Sequence, residues 1–159
     1  MPGYTLSDGL TLKNLLGATS HGDPEKFEAR FVRERLRQLQ TTGLPRQTFD
    51  ITHLKAIHHH LFQDVFEWAG RSRDEKVRLS DGTLVTEPVM RKPGGKAFLA
   101  GAKIETALAR LFTGLHSANL LKGLSRAEFA QKAAVFLAGW NWFWPGLLGA
   151  SSWPGASRR

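Results

Sequence analysis

The sequence predicts an all-α fold, a helical bundle carrying one small β-hairpin, and three observations predict it. Four segments repeat apolar residues at three- and four-residue steps between recognisable start and stop signals. One short stretch, residues 77–85, alternates around an Asp-Gly turn. Neither an internal repeat nor a strand-rich half accompanies them. At 159 residues the chain suits one domain with a real core.

The elements follow in order. Asp23-Pro24 places a carboxylate at an N-cap and proline at the first helical position. Phe27, Phe31, Val32, Leu36 and Leu39 then form an inward stripe, which Gly43 and Pro45 end. Arg30, Arg33, Arg35 and Arg37 lie mostly off that stripe and read as a solvated face. Asp50 caps a second helix, with Phe49 stapled onto Leu54. Its stripe runs Leu54, Ile57, Leu61, Val65 and Trp68 until Gly70 closes it. Residues 77–79 and 83–85 flank Ser80-Asp81-Gly82 as a hairpin, and Pro93-Gly94-Gly95 is a loop. A third helix runs from about Lys103 to Leu115 with Ile104, Ala107, Leu108, Leu111 and Phe112 inward. Ser125-Arg126-Ala127-Glu128 is a capping box that opens a fourth, with Phe129, Ala133, Phe136, Leu137 and Trp140 inward. After Asn141 the pattern fails among Pro145, Gly146, Gly149, Ser151, Ser152, Pro154 and Gly155.

Composition excludes several chemistries. The absence of cysteine rules out a disulfide scaffold, a Cys-ligated zinc site, an iron–sulfur cluster and a thiol nucleophile. Met1 to Ser7 lacks the charged-then-apolar run of a signal peptide, so a cytoplasmic protein is expected. A net charge of +8 would by itself suggest nucleic acid, but no basic-aromatic strip or helix-turn-helix spacing supports that. Between Ala133 and Ser157 there is no charged residue and no histidine, long enough for a membrane span. Asn141, Pro145 and scattered Gly and Ser argue against insertion. His53, His58, His59 and His60 invite a metal. His53 and His60 share a helical face yet stand about 10 Å apart along the axis, too far for one ion. No metal site is assigned, and the histidines read as a partly exposed helix edge. A P-loop fails too, because Met90 and Ala97 stand where Gly95-Lys96 would need a glycine before and a hydroxyl after. No Gly-x-Ser-x-Gly elbow exists.

The run from Phe49-Asp50-Ile51-Thr52-His53-Leu54-Lys55-Ala56-Ile57-His58, through Leu61-Phe62-Gln63-Asp64-Val65-Phe66-Glu67-Trp68-Ala69-Gly70, to Arg73 strongly resembles the Fic (Fido-domain) family. That family shows there F-D-x-x-H-L-x-x-I-H-x-x-L-F-x-D-x-Y-x-W-A-G-x-x-R, with Phe66 here in place of the usual Tyr. Leu12-Lys13-Asn14-Leu15-Leu16-Gly17 is similar to the family's L-K-N-x-x-G opening. Residues 77 to 85 are similar to its flap, and Asn119 to Ser125 to the stretch before its central helix, here 126–142. The resemblance covers roughly residues 4 to 142. It implies a Fic-like domain over 1–142, a helical bundle with a hairpin flap over a nucleotide cleft, and a non-family tail over 143–159. It also implies AMP transfer from ATP to a hydroxyl of a target protein, with Mg²⁺. The flap would pair with an extended target segment like an added strand. Ser80, Asp81, Gly82, Asn119 and Leu120 are the flap and nucleotide candidates. Some members are held off by a small antitoxin helix, so an antitoxin-like inhibitory helix is a further implied partner; the inhibitory S/T-x-x-x-E-G/N signature is not evident in this chain.

The chain departs from the family where the chemistry belongs. The motif H-P-F-x-x-G-N-G-R should follow the central helix, supplying a base, a phosphate loop, a metal-holding acid and an arginine. Residues 144–152 read Trp-Pro-Gly-Leu-Leu-Gly-Ala-Ser-Ser. Only Pro145 and Gly149 match. Trp144 stands at the base position, where indole accepts no proton, and Ser152 at the arginine position. Losing a positioned base alone costs about 10²–10⁴-fold. The expectation is a Fic-like fold whose C-terminal part is incomplete, with little or no transfer activity and weak claims on ATP and Mg²⁺. Frame change, truncation and divergence near residue 142 stay open as origins of the tail. Two alternatives from other classes also stand: a non-enzymatic binding module, and a basic nucleic-acid binder. A secreted effector stands beside the cytoplasmic expectation. With its closing part missing, the bundle is expected to expose apolar surface around Phe136, Trp140 and Trp142.

Overall fold

The first apolar stripe forms α1, Gly22–Thr42, which begins two residues before the expected first helical position and ends at Gly43 with φ +83°. Asp23 is therefore inside the first turn instead of capping it. The computed structural model describes residues 3–8, 11–19, 22–43, 46–87, 99 and 101–140; at 22–27, 102 and 137–140 it describes the backbone alone. These residues form two packing units, one within 1–88 and one within 89–159. Pro93-Gly94-Gly95 and the whole tail from Asn141 lie outside the described residues.

In the first unit α1 packs on α2, Ile51–Phe62. The covered face of α1 runs through Val32, Arg35, Gln38 and Leu39, all half-buried. Phe31 and Leu36, expected inward, are 37% and 47% exposed. The face is rotated off the apolar stripe because Arg35, expected on the solvated side, is drawn in by Asp64. Its Nε meets Asp64 Oδ2 at 2.6 Å and its Nη2 meets Oδ1 at 2.7 Å.

Asp50 starts α2 as expected, its carboxylate accepting the His53 N–H at 2.8 Å. The helix stops at Phe62, not near Gly70. No glycine or proline marks that stop, so the sequence periodicity overruns it. Successive tight turns (Val65 N–H to Phe62 O, Ala69 N–H to Phe66 O, Arg71 N–H to Trp68 O) carry the same face inward. Val65 and Trp68 are accordingly buried. Gly70 has φ +81°, and a Cβ there would lie 2.7 Å from His59 Cβ and 2.9 Å from the Lys55 carbonyl. No larger residue fits so close an approach to α2.

The hairpin forms where expected. β1, Val77–Arg78, runs antiparallel to β2, Leu84–Val85, with Val77 opposite Val85 and Arg78 opposite Leu84. Leu79 N–H donates to Thr83 O, and Gly82 at φ +83° makes the turn.

In the second unit a short 3₁₀ turn, Gly101–Lys103, leads into α3, Ile104–Ser117. Ile104, Leu108 and Phe112 are buried, and Ala107 and Leu111 are half-buried. The α3 face thus matches its sequence pattern. α4, Arg126–Trp140, is opened by the capping box: the Ser125 N–H donates to Glu128 Oε2 at 3.0 Å and the Glu128 N–H to Ser125 Oγ at 3.3 Å. Phe136 is half-buried, meeting Phe112 edge-on with ring centroids 6.0 Å apart. Phe129, expected inward, is 50% exposed, and Val135 is 71% exposed. Apolar side chains fall on every side of α4, so one packed face cannot cover them. Among the described residues no helix is long and apolar enough to cross a membrane.

Candidate functional site

An aromatic column supports the hairpin. His58 and Phe62 of α2 lie 4.6 Å apart by ring centroids, Phe62 and Phe66 6.2 Å, Phe66 and Trp68 5.0 Å, and Trp68 and Tyr4 4.6 Å. The Phe66 ring thus takes its place in the column without a hydroxyl, buried at 7% exposure. The column delivers Tyr4 and the amino-terminal segment to the base of the hairpin. Burial, reinforced by the Glu75 and Asp74 charges, pushes the Tyr4 phenol up to about 12, so it stays neutral.

Two anchors hold the hairpin. At its base Glu87 N–H donates to the Arg73 carbonyl at 2.7 Å, and Thr86 Oγ1 lies 3.3 Å from the carbonyls of Arg73 and Asp74. The Tyr4 N–H reaches Glu87 Oε2 at 3.2 Å. The Arg73 loop is stiffened by Glu75, which accepts from Lys55 Nζ at 2.6 Å and from the Ser72 N–H and hydroxyl. Burial opposes ionisation of Glu75, yet those donors and the Lys55 charge outweigh it and hold the carboxyl at about 2. At the turn, Glu67 accepts the Ser80 N–H at 2.6 Å and the Ser80 hydroxyl at 3.0 Å. Asp81 Oδ1 accepts the Thr83 N–H at 2.7 Å, closing an Asx turn. Ser80, Asp81 and Gly82 are all exposed on a turn fixed from beneath.

Asn119 and Leu120 belong to the second unit. With Leu121 they form a turn of three successive left-handed residues, φ 51°, 53° and 59°. For non-glycine residues each such conformation costs roughly 1–2 kcal/mol. Trp144, Pro145, Gly149 and Ser152 lie outside the described residues. Their chemistry still decides the fit of ATP and Mg²⁺. Indole, proline, glycine and serine offer no base, no metal-binding carboxylate and no cation, and Ala133 to Ser157 supplies none either. By their chemistry alone, residues 144–152 carry none of the groups that hold a metal–triphosphate.

The histidines are mostly structural. Of the four histidines read as a partly exposed helix edge, His59 is exposed and His60 half-buried, whereas His53 and His58 are buried. His58 Nδ1 accepts the Gly70 N–H at 2.9 Å, which ties the turn back onto α2. Burial, with the His59 charge adding to it, pushes His58 down to about 3, so its imidazole is neutral.

Sequence reasoning missed two features. Glu67 occupies a variable position of the long motif, so no pattern marked it as the anchor of Ser80. The second is a cavity of about 300 Å³ beside the hairpin. It is lined by the loop from Asn14 to Thr19, by Trp68 and Leu79, and by Glu67, Asp81 and Lys13. Asn14 builds that loop: its Nδ2 donates to the carbonyls of Leu12 and Ala18, and its Oδ1 accepts from the Leu16 and Ala18 N–H groups. Gly17 turns the loop at φ +68°. The Leu-Lys-Asn-x-x-Gly phrase was the available signal, though it did not reveal a cavity.

The chain is similar to known proteins. The chain is 34% identical over 131 residues to a protein adenylyltransferase of Bartonella henselae, a match covering 82% of the chain and 24% of that relative. It therefore spans about a quarter of that protein's length. The N-terminal FIC domain of Bep8, a VirB-translocated effector of Bartonella sp. 1-1C, superposes with a TM-score of 0.82 at 33% identity, over 92% of the chain and 67% of that domain's chain. BepC of Bartonella tribocorum, solved with AMPPNP bound, gives a TM-score of 0.80 at 34% identity, over 87% of the chain and 66% of BepC. No protein-family model matches the chain.

Proposed function

The chain belongs to the Fic family, and from that premise we propose that it docks an extended target segment on its hairpin while transferring no AMP as written. In the register counted from Asn141, Trp144, Pro145, Gly149 and Ser152 fall at the motif's base, phosphate-loop and arginine positions, and that reading carries the proposal. The docking half draws support from the hairpin itself. β1 and β2 pair only with each other among the described residues, and of their outer edges that of β1 is the accessible one, since Val85 of β2 is fully buried. Glu67, Arg73 and Glu75 hold those edges in place before a target arrives, which lowers the ordering cost of docking. Because Bep8 and BepC are VirB-translocated effectors, a secreted role takes precedence over a resident cytoplasmic one in this proposal.

Incubation of the chain with labelled ATP, Mg²⁺ and a cell lysate tests the inactivity. The expected result is no protein label above a blank without the chain. Robust AMP transfer overturns the proposal, and transfer that survives Trp144→Ala would require a base elsewhere. Calorimetry with ATP separates two outcomes consistent with inactivity: binding without transfer, or docking alone.

A further inference from the structure

We infer that the cavity beside the hairpin is a specificity pocket that receives one cationic side chain, arginine or lysine, of the segment docked on the flap; this rests on the docking function proposed above. Three observations carry it. The cavity, at about 300 Å³, lies at the lower end of ligand pockets (roughly 300–1,000 Å³), a size suited to one long side chain. Its lining includes the apolar Trp68 and Leu79, whose small exposed faces suit the methylene stem of such a side chain. Its lining also carries two exposed carboxylates, Glu67 and Asp81, against one ammonium, Lys13, a local excess of negative charge on a chain of net charge +8.

The carboxylates are also pre-positioned. Glu67 is fixed by both Ser80 hydrogen bonds and Asp81 by the Thr83 N–H. Each carboxylate oxygen keeps a lone-pair site for a guanidinium or ammonium donor. Leu79 and Asp81 belong to the hairpin, so a segment pairing along a flap edge passes within a side chain's length of the cavity. Backbone pairing supplies sequence-independent affinity, and pockets for alternate side chains supply the selection.

The test uses the isotope-labelled full chain and three nine-residue extended peptides that differ at one position: arginine, citrulline or glutamate. The arginine peptide is expected to shift the Trp68 indole and the Leu79 and Asp81 amides, binding about fivefold more tightly than the citrulline peptide. Asp81→Asn, which keeps an oxygen for the Thr83 N–H, should cut that preference to about twofold, and Lys13→Gln should enlarge it. N-acetyl-arginine-N-methylamide, too short to add a strand, reads the pocket alone and should shift the same signals weakly. Equal affinity for the three peptides, or a preference untouched by Asp81→Asn, overturns the pocket. Shifts along β1 or β2 without charge preference leave docking standing and remove the pocket. Capture of the arginine amide with no peptide shifts at β1 or β2 does the reverse.

Discussion

His58 shows how one buried residue sets a pH response. It is 4% exposed, its Nδ1 accepts the Gly70 N–H, and burial keeps it neutral with a pKa of about 3. In the unfolded chain an ordinary histidine titrates near 6.5, so between pH 6.5 and 3 the unfolded state binds the extra proton. Stability from this group is therefore complete above pH 6.5 and lost as pH falls toward 3. Glu75 adds a lower window: its folded value of about 2 lies below the usual 4.5, so its contribution fades only as pH drops from 4.5 toward 2. His58→Asn, whose side-chain oxygen can accept from Gly70 N–H, should remove the upper window alone. The unfolding free energy from denaturant titrations is expected to fall by about 2–3 kcal/mol from pH 7 to pH 4.5 in the parent chain and to stay nearly flat in the variant. A parallel decline in both would assign the acid sensitivity to other groups.

Among the elements, α1 and α2 are joined by a contact that periodicity does not show. Arg35 reaches past its own helix face to make a two-pronged pair with Asp64, just after α2 ends, and its carbonyl lies 3.2 Å from His60 Nε2. The Arg35 guanidinium holds the Asp64 carboxyl below the usual carboxylate range, the hydrogen bonds outweighing the burial that opposes them. Both side chains are about a quarter to a third exposed, at 26% and 30%, which limits the pair to roughly 1 kcal/mol. Arg35→Lys removes the planar fork and Asp64→Asn the charge, so a double-mutant cycle should return a coupling of about 0.5–1 kcal/mol, halved or more in 1 M salt. A coupling near zero would mean that α1 rests on Val32 and Leu39 alone. The same pair explains why the covered face of α1 was misread: Arg35 looked like a solvated charge, and a partner 29 positions away leaves no local signature.

For the whole molecule, the decisive feature is the mismatch between α4 and what covers it. Capping and apolar content argue for a buried helix, yet Phe129 and Val135 remain 50% and 71% exposed. Of the apolar exposure expected around Phe136, Trp140 and Trp142, only Phe136 is described, half-buried on Phe112; the Trp140 side chain and Trp142 lie outside the described residues. Replacing Phe129 and Val135 together with serine should change the unfolding free energy by no more than about 0.5 kcal/mol, because neither loses much buried area. The same variant should show less self-association by light scattering. A loss above about 2 kcal/mol would place both side chains in a packed interface in solution.

The sequence by itself determined the element types, the Asp50 and Ser125 caps, the hairpin turn and the family. Each is written in neighbouring residues: a cap needs a side chain three positions away, and an Asx turn needs one two positions away. It also determined the chemical poverty of residues 133–157, because that segment contains no histidine, carboxylate or cation whatever fold it takes. Only the tertiary structure decided where α2 stops, which side of α1 is covered, that Glu67 holds Ser80, and that the Asn14 loop and the hairpin enclose a cavity. Those features depend on residues that meet across long sequence separations, Arg35 with Asp64, Tyr4 with Trp68 and Glu87, and Lys13 around one cavity with Asp81. Such contacts obey packing and charge in three dimensions, and no local pattern encodes them.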